Sequence, residues 1–88
     1  AGAVQRQYEP DFIVIDDAGV HWIVEGKRDG EMSSPLVTAK RDAAAAWVNT
    51  VNGSDEVHET WAYLLASESV CSAATSWEAL KSGGQVHR

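Results

Sequence analysis

Two short apolar runs near the start of the chain are separated by a small polar loop. The runs are 12–16 (FIVID) and 20–25 (VHWIVE), and the loop is Asp17-Ala18-Gly19. β-Branched and aromatic residues favour strands, and a three-residue loop ending in Gly is a common hairpin connection because Gly readily adopts the left-handed conformation. The pattern therefore predicts an antiparallel hairpin.

The loop length also predicts which residues face each other across the hairpin. If Asp16 and Val20 close the loop, Asp11 stands opposite Glu25. Like charges set directly opposite one another are destabilising, so a positive charge is expected nearby. Lys27 lies two residues beyond Glu25 and hence on the same face, and a divalent cation would compensate further.

The middle of the chain carries the signals of a helix. Ser34 is a typical N-cap, Pro35 suits the first helical position, and Asn52-Gly53 is a typical stop. Four residues form an apolar stripe at helical spacing: Leu36, Ala43, Trp47 and Val51. Lys40 alone interrupts this stripe. We expect the stripe to pack on the sheet.

The remaining segments complete an α/β pattern. We predict a buried strand over 60–66, one helix over 67–81 with its N-cap at Ser67 or Ser69, and a frayed tail from residue 82. Residues 4–8 are a candidate edge strand. Apolar residues occur on both faces of the hairpin, so we expect it to be sandwiched between layers. The predicted fold is a single small domain over 1–82, with a mixed sheet of about four strands flanked by two helices, and a flexible tail over 83–88.

Composition narrows the function classes. The chain has 88 residues, a formal net charge of −6 and one cysteine, Cys71. An acidic chain is a poor basic nucleic-acid-binding module, because phosphate binding depends on Lys and Arg. Acidic residues are, however, the ligands that hard divalent cations require. No internal disulfide can form, and no signal peptide or membrane-spanning run is present in the sequence, so we expect a cytoplasmic location.

Asp11, Glu25 and Lys27 together suit metal-dependent phosphodiester hydrolysis. Two carboxylates a few ångströms apart can hold Mg²⁺, which often keeps waters and a substrate phosphate among its ligands. The metal polarises the phosphoryl group and lowers the pKa of bound water. A lysine beside them can orient the attacking water and stabilise developing charge.

These residues give the chain a resemblance to the PD-(D/E)xK nuclease superfamily, through Pro10-Asp11 followed by Glu25-Gly26-Lys27 on the next predicted strand. More narrowly, YEPDFIV, WIVEGK and AKRDAAAAWVNTVN resemble the C-terminal endonuclease domain attached to superfamily 2 helicases, as in the large subunit of type III restriction enzymes. The resemblance covers roughly residues 8–66.

The resemblance implies a function and residue roles. Asp11 and Glu25 would bind Mg²⁺, with Mn²⁺ as a substitute, Lys27 would assist the hydrolytic water, and Lys40 would lend a polar group from the following helix. The implied function is an Mg²⁺-dependent endonuclease acting on DNA that a helicase motor or partner subunit delivers, in a restriction or repair enzyme. Two features depart from the family pattern: Gly26 replaces a frequent apolar residue, and Arg28 replaces a glycine. The family's first core helix has no room before residue 8, so we expect the chain to be part of a larger protein.

Other interpretations fit the same residues. Glu25 and Lys27 are also typical of a surface ion pair at a strand end. Lys40 is also typical of a lysine whose aliphatic stem covers apolar surface. Asp16 and Asp17 are most simply turn residues. At the level of the whole chain, the alternatives are a catalytically inactive, nuclease-like docking module of a helicase and an unrelated acidic interaction domain.

Overall fold

A four-stranded mixed sheet with helices on both faces forms the fold. The computed structural model describes residues 12–88. The elements are, in chain order, β1 (Phe12–Ile15), β2 (His21–Lys27), α1 (Pro35–Asn52), β3 (Trp61–Ser67), α2 (Glu68–Ala73), α3 (Trp77–Gly83) and β4 (Gln85–His87). The sheet order is β1-β2-β3-β4, with β2 and β3 parallel and the other two pairs antiparallel. The predicted α/β class is confirmed, with three helices in the described part instead of two. The candidate edge strand over 4–8 lies outside the described residues.

The first hairpin has the predicted register. Ile13 pairs with Ile23 and Phe12 pairs with Val24. Gly19 has a φ of +83°, the left-handed conformation that the loop requires. β2 continues to Lys27, two residues further than predicted, so the Glu-x-Lys segment belongs to the strand itself.

Asp16 fixes this turn and connects it to the core. Its Oδ1 accepts hydrogen bonds from the backbone N–H groups of Ala18 and Val20, at 3.0 and 2.9 Å. Its Oδ2 accepts a 2.9 Å bond from the indole N–H of Trp22, a side chain with no exposed surface. The Trp22 and backbone hydrogen bonds to the carboxylate lower the pKa of Asp16.

Two apolar clusters lie on opposite faces of the sheet. The first consists of Trp22, Val24, Ala62 and Leu64, and Trp77 and Leu80 of α3 pack against it. The second consists of Val37, Val48, Tyr63 and Leu65, so α1 covers the other face. Each face also carries an edge-to-face tryptophan pair, Trp22–Trp77 on the α3 side and Trp47–Trp61 on the α1 side. The molecule therefore has three layers, with the sheet in the middle.

The limits of α1 match the prediction, but its buried face does not. The Ser34 side chain accepts a hydrogen bond from the Val37 N–H, and the helix ends before Gly53. The predicted stripe was wrong: Leu36 is 67% exposed and Trp47 is 44% exposed. The face that packs on the sheet is Val37, Ala44 and Val48, one residue further along the chain. In an alanine-rich helix two neighbouring stripes look alike, and the β-branched valines are the residues that fill the space above the sheet.

The predicted single helix over 67–81 is two helices. Ser67 caps α2 by accepting a bond from the Val70 N–H, as one of the two predicted caps. Ala74 is extended, and Ser76 begins α3 by accepting a bond from the Ala79 N–H. Serine competes well for helix N-termini and poorly for helix interiors, which explains the break.

The predicted frayed tail is also a strand. Residues 85–87 form β4, and Val86 pairs with Leu64 of β3. A Cβ on Gly84 would lie 2.6 Å from Leu64 Cδ1 and 3.0 Å from the Leu65 carbonyl oxygen. The absence of a side chain at Gly84 thus lets the chain approach β3 closely and turn back along it.

The hairpin is only half enclosed, contrary to the prediction that both its strands are sandwiched between layers. Trp22 and Val24 of β2 are buried, whereas Phe12, Ile13 and Ile15 of β1 are 59–62% exposed. The helices cover the centre of the sheet and leave the β1 side open. No helix among residues 12–88 is long and apolar enough to cross a membrane.

Candidate functional site

The candidate site lies at the carboxyl end of β2, on the face that α1 covers. Side chains alternate between faces along a strand, so Ile23, Glu25 and Lys27 share one face. Ile23 packs against the cluster that α1 forms with β3, which identifies that face. Because β2 and β3 are parallel, this end of β2 lies beside the carboxyl end of β3, with Glu25 paired to Leu65.

Glu25 and Lys27 form an ion pair that is almost enclosed. Lys27 Nζ lies 3.3 Å from Glu25 Oε2, and the two side chains are 11% and 12% exposed. Charges this far removed from water are costly unless each has a partner. The ion pair that the alternative interpretation expects at the strand end is therefore present, but it is largely enclosed.

A third side chain reaches the same carboxylate. The Tyr63 hydroxyl donates a 2.6 Å hydrogen bond to Glu25 Oε1, so each Glu25 oxygen has its own partner. Tyr63 lies on β3, directly paired with Ile23, and is 2% exposed. Tyr63 lies in the apolar run that predicted β3. Its contact with Glu25 could be found only from the pairing of β2 with β3.

The segment after Lys27 is anchored to α2. A short 3-10 turn over 29–31 follows the strand. The Asp29 carboxylate accepts hydrogen bonds from both the Ser69 hydroxyl and the Ser69 N–H, the latter at 3.0 Å. The Ser69 hydroxyl is the main cause that lowers the pKa of Asp29. These contacts hold the segment that follows β2, directly after Lys27, against α2.

Among the described contacts, none connects the two other predicted site residues to Glu25 or Lys27. Asp11 lies outside the described residues. Lys40 is exposed on α1 and takes part in none of the ion pairs found among residues 12–88. Arg41 beside it donates a 3.1 Å bond to Gln85 of β4. Its role at the site remains a prediction.

The site offers the carboxylate of Glu25 as a possible donor for a hard cation. Glu25 offers carboxylate oxygens, and Mg²⁺ is commonly bound by one or two carboxylates together with waters and substrate phosphate. Within residues 12–88, no group of three or more His, Cys, Asp or Glu side chains is placed to hold a metal ion. A site made of Glu25 and Asp11 would not form such a group, because it has two protein ligands.

Comparisons with known proteins add no relative. The chain matches no protein-family model, and neither curated proteins nor solved structures give a significant match.

Proposed function

We propose that this chain is an Mg²⁺-dependent endonuclease domain that hydrolyses DNA phosphodiester bonds. The observation that carries the proposal is the largely enclosed Glu25–Lys27 pair on a central strand, with Lys27 Nζ 3.3 Å from Glu25 Oε2. The order strand, strand, helix, parallel strand is also the one that the PD-(D/E)xK resemblance implies. Fold alone does not give function, so the proposal depends on the site.

The second carboxylate of the proposed site is Asp11, which lies outside the described residues. The sequence pattern predicts that it stands opposite Glu25, and the observed pairing of Phe12 with Val24 is compatible with that prediction. Directly opposed Cβ atoms in antiparallel strands are about 4.5–5.5 Å apart, a separation that lets two carboxylates share one cation. In the proposal, Asp11 and Glu25 hold Mg²⁺, with Mn²⁺ as a substitute.

Each residue of the proposed site has a distinct task. Bound Mg²⁺ would supply Lewis-acid activation of the phosphodiester. Lys27 would orient the attacking water and stabilise negative charge on the phosphoryl oxygens, while its contact with Glu25 holds its amine in place. Lys40, exposed on α1, is the candidate to lend a polar group to the site and contact the phosphate backbone.

The charge of the chain determines how DNA would reach the site. A net charge of −6 opposes binding to a polyanion, so the isolated chain should bind DNA weakly and cut it slowly or not at all. We propose that an attached helicase motor or partner subunit delivers the DNA, in a restriction or repair enzyme of the cytoplasm.

The first test measures metal binding by the 88-residue chain. Mg²⁺ titration followed by amide NMR should shift the resonances of Glu25, Gly26 and Lys27, and Mn²⁺ should broaden the same resonances. Both effects should disappear in Asp11→Asn and in Glu25→Gln. The matched control is Asp17→Asn, which removes an acid from the far end of the hairpin and should retain both effects.

The second test measures DNA cleavage by the full-length protein with Mg²⁺. Asp11→Ala should lower the rate at least about 100-fold, because metal activation contributes several kcal/mol to the barrier. Undiminished cleavage in Asp11→Ala would reject the assigned role.

A catalytically inactive docking module of a helicase is the second candidate. It is favoured by one observation: both oxygens of Glu25 already have protein partners, so its charge is compensated without a cation. Under this alternative, Mg²⁺ would cause no localised shifts in a folded wild-type chain, and any DNA cleavage by the full-length protein would not depend on Asp11.

A further inference from the structure

Tyr63 contacts Glu25 at the site, and the nuclease resemblance assigns it no role. Its hydroxyl donates to Glu25 Oε1 at 2.6 Å, while Lys27 Nζ approaches Glu25 Oε2 at 3.3 Å. Two partners on different oxygens define both the position and the plane of the carboxylate. Hydrogen bonds to an ionised acceptor are roughly twice as strong as neutral ones, so the contact with Glu25 is a substantial restraint.

The position of Tyr63 makes it a rigid donor. β3 is paired on both sides, with β2 and with β4, and the Tyr63 ring is buried among Val37, Val48 and Leu65. A phenol has few rotatable bonds, and here its ring is enclosed by packed neighbours. By contrast, Lys27 has a long and flexible side chain. The tyrosine is therefore the better fixed of the two partners.

We propose that Tyr63 is a positioning residue for Glu25, holding the carboxylate so that its remaining lone pairs face the metal. This inference rests on the proposed nuclease function. An ionised carboxylate has about four acceptor sites, so the bonds to Tyr63 and Lys27 leave about two for a cation. Partners that orient a metal ligand in this way typically contribute 10–100-fold in metal affinity or activity.

A purely structural role is the competing explanation, because a buried phenol usually needs a hydrogen-bond partner. The two explanations differ in what happens to Glu25. If Tyr63 only satisfies its own hydroxyl, removing that oxygen changes the Glu25 carboxyl resonance but leaves its metal affinity unaffected. If it positions Glu25, the metal affinity falls as well.

The test compares Tyr63→Phe with Leu80→Ala in the 88-residue chain. Tyr63→Phe keeps the ring and removes only the oxygen. Leu80→Ala truncates a residue packed against the cluster on the opposite face of the sheet, so it lowers stability while leaving the cluster around Tyr63 intact. The first readout, taken without metal, is the carboxyl ¹³C resonance of Glu25. The second is the Mn²⁺ dissociation constant.

The positioning role predicts that Tyr63→Phe shifts the Glu25 carboxyl resonance and weakens Mn²⁺ binding roughly tenfold or more, while Leu80→Ala does neither. An unchanged carboxyl resonance in Tyr63→Phe, or unchanged Mn²⁺ affinity, overturns the inference. A wild-type chain that binds no Mn²⁺ overturns the proposed function, and with it the role of Tyr63 toward a metal. In that case the carboxyl resonance still reports whether the hydroxyl contacts Glu25.

Discussion

Single side chains with several partners connect the parts of this small molecule. Asp16 accepts two backbone N–H groups of its own turn and the indole N–H of Trp22. Trp22 in turn belongs to the cluster that α3 covers. The carboxylate of Asp16 thus links the hairpin loop to the apolar core. The interpretation of Asp16 as a turn residue is confirmed, and its bond to the buried indole adds a second role.

This arrangement makes stability depend on pH in acid. The pKa of Asp16 lies below its ordinary value of 3.8, chiefly because the charged form accepts the Trp22 hydrogen bond. A group whose pKa is lower in the folded chain contributes stability above its unfolded value and loses that contribution as pH falls through the folded value. The free-energy difference between wild type and Asp16→Asn should be largest above about pH 4 and shrink in stronger acid.

Urea unfolding at a series of pH values measures this difference. Asp17→Asn is the matched control, because it removes the same charge from the same turn and accepts none of the three bonds described. At neutral pH it should change the free energy of unfolding much less than Asp16→Asn does. A difference between wild type and Asp16→Asn that stays constant into acid would contradict the assignment.

Contacts between side chains could be predicted from the sequence where they depend on local spacing. The period of two along a strand placed Glu25 and Lys27 on one face, and their 3.3 Å contact agrees with it. The sequence could not predict their enclosure or the approach of Tyr63. Both depend on the parallel pairing of β2 with β3, which joins segments about 40 residues apart.

Among the elements, the first hairpin is determined by its loop. Gly19 is the one residue from 12 to 88 with a positive φ, and a Cβ built there would meet nothing within 4 Å. Any penalty for a side chain at this position is therefore conformational, without a steric clash against neighbours.

Gly19→Ala should lower the free energy of unfolding by about 1 kcal/mol, because alanine is strained at this φ. Gly30→Ala is a close control: its Cβ would also meet nothing within 4 Å, but Gly30 does not have a positive φ. It should be neutral or slightly stabilising, since alanine restricts the unfolded chain. Urea unfolding of both variants checks the prediction, which equal losses would refute.

Elements whose limits depend on capping were predicted well, and those whose identity depends on packing were not. Ser34 and Gly53 mark the ends of α1 as expected. The helix phase was missed by one residue because alanine gives little preference between adjacent faces. β4 was missed because three residues after a Gly-Gly pair carry no strand pattern, and its formation depends on the exposed edge of β3.

At the scale of the whole molecule, coverage of the sheet is uneven. The two helical layers enclose β3 and much of β2. In β1, Val14 packs against the cluster under α3, while Phe12, Ile13 and Ile15 remain largely exposed. Exposed apolar side chains on an outer strand favour association between molecules. Within the described residues, β1 is therefore the element with the least support from the core.

Substitutions at Ile13 and Ile23 test whether the helices cover β2 more than β1, because the two residues face each other but differ in burial. Ile13 is 62% exposed, whereas Ile23 packs against the cluster under α1. Ile23→Thr should cost about 2 kcal/mol, and Ile13→Thr less than half of that, since threonine keeps the β-branched shape. Light scattering should also show weaker self-association for Ile13→Thr. Similar stability losses would mean that β1 is enclosed in solution.

The tryptophans have a consequence for how assembly of the layers can be followed. Trp22 and Trp77 lie on one side of the sheet, and Trp47 and Trp61 on the other. Replacing one pair with phenylalanine leaves the intrinsic fluorescence of the chain as a reporter for the opposite side alone. Each of the two variants can be refolded separately by rapid dilution from denaturant. Comparing their fluorescence traces would show whether the α1 side and the α3 side become ordered in the same kinetic phase or one after the other.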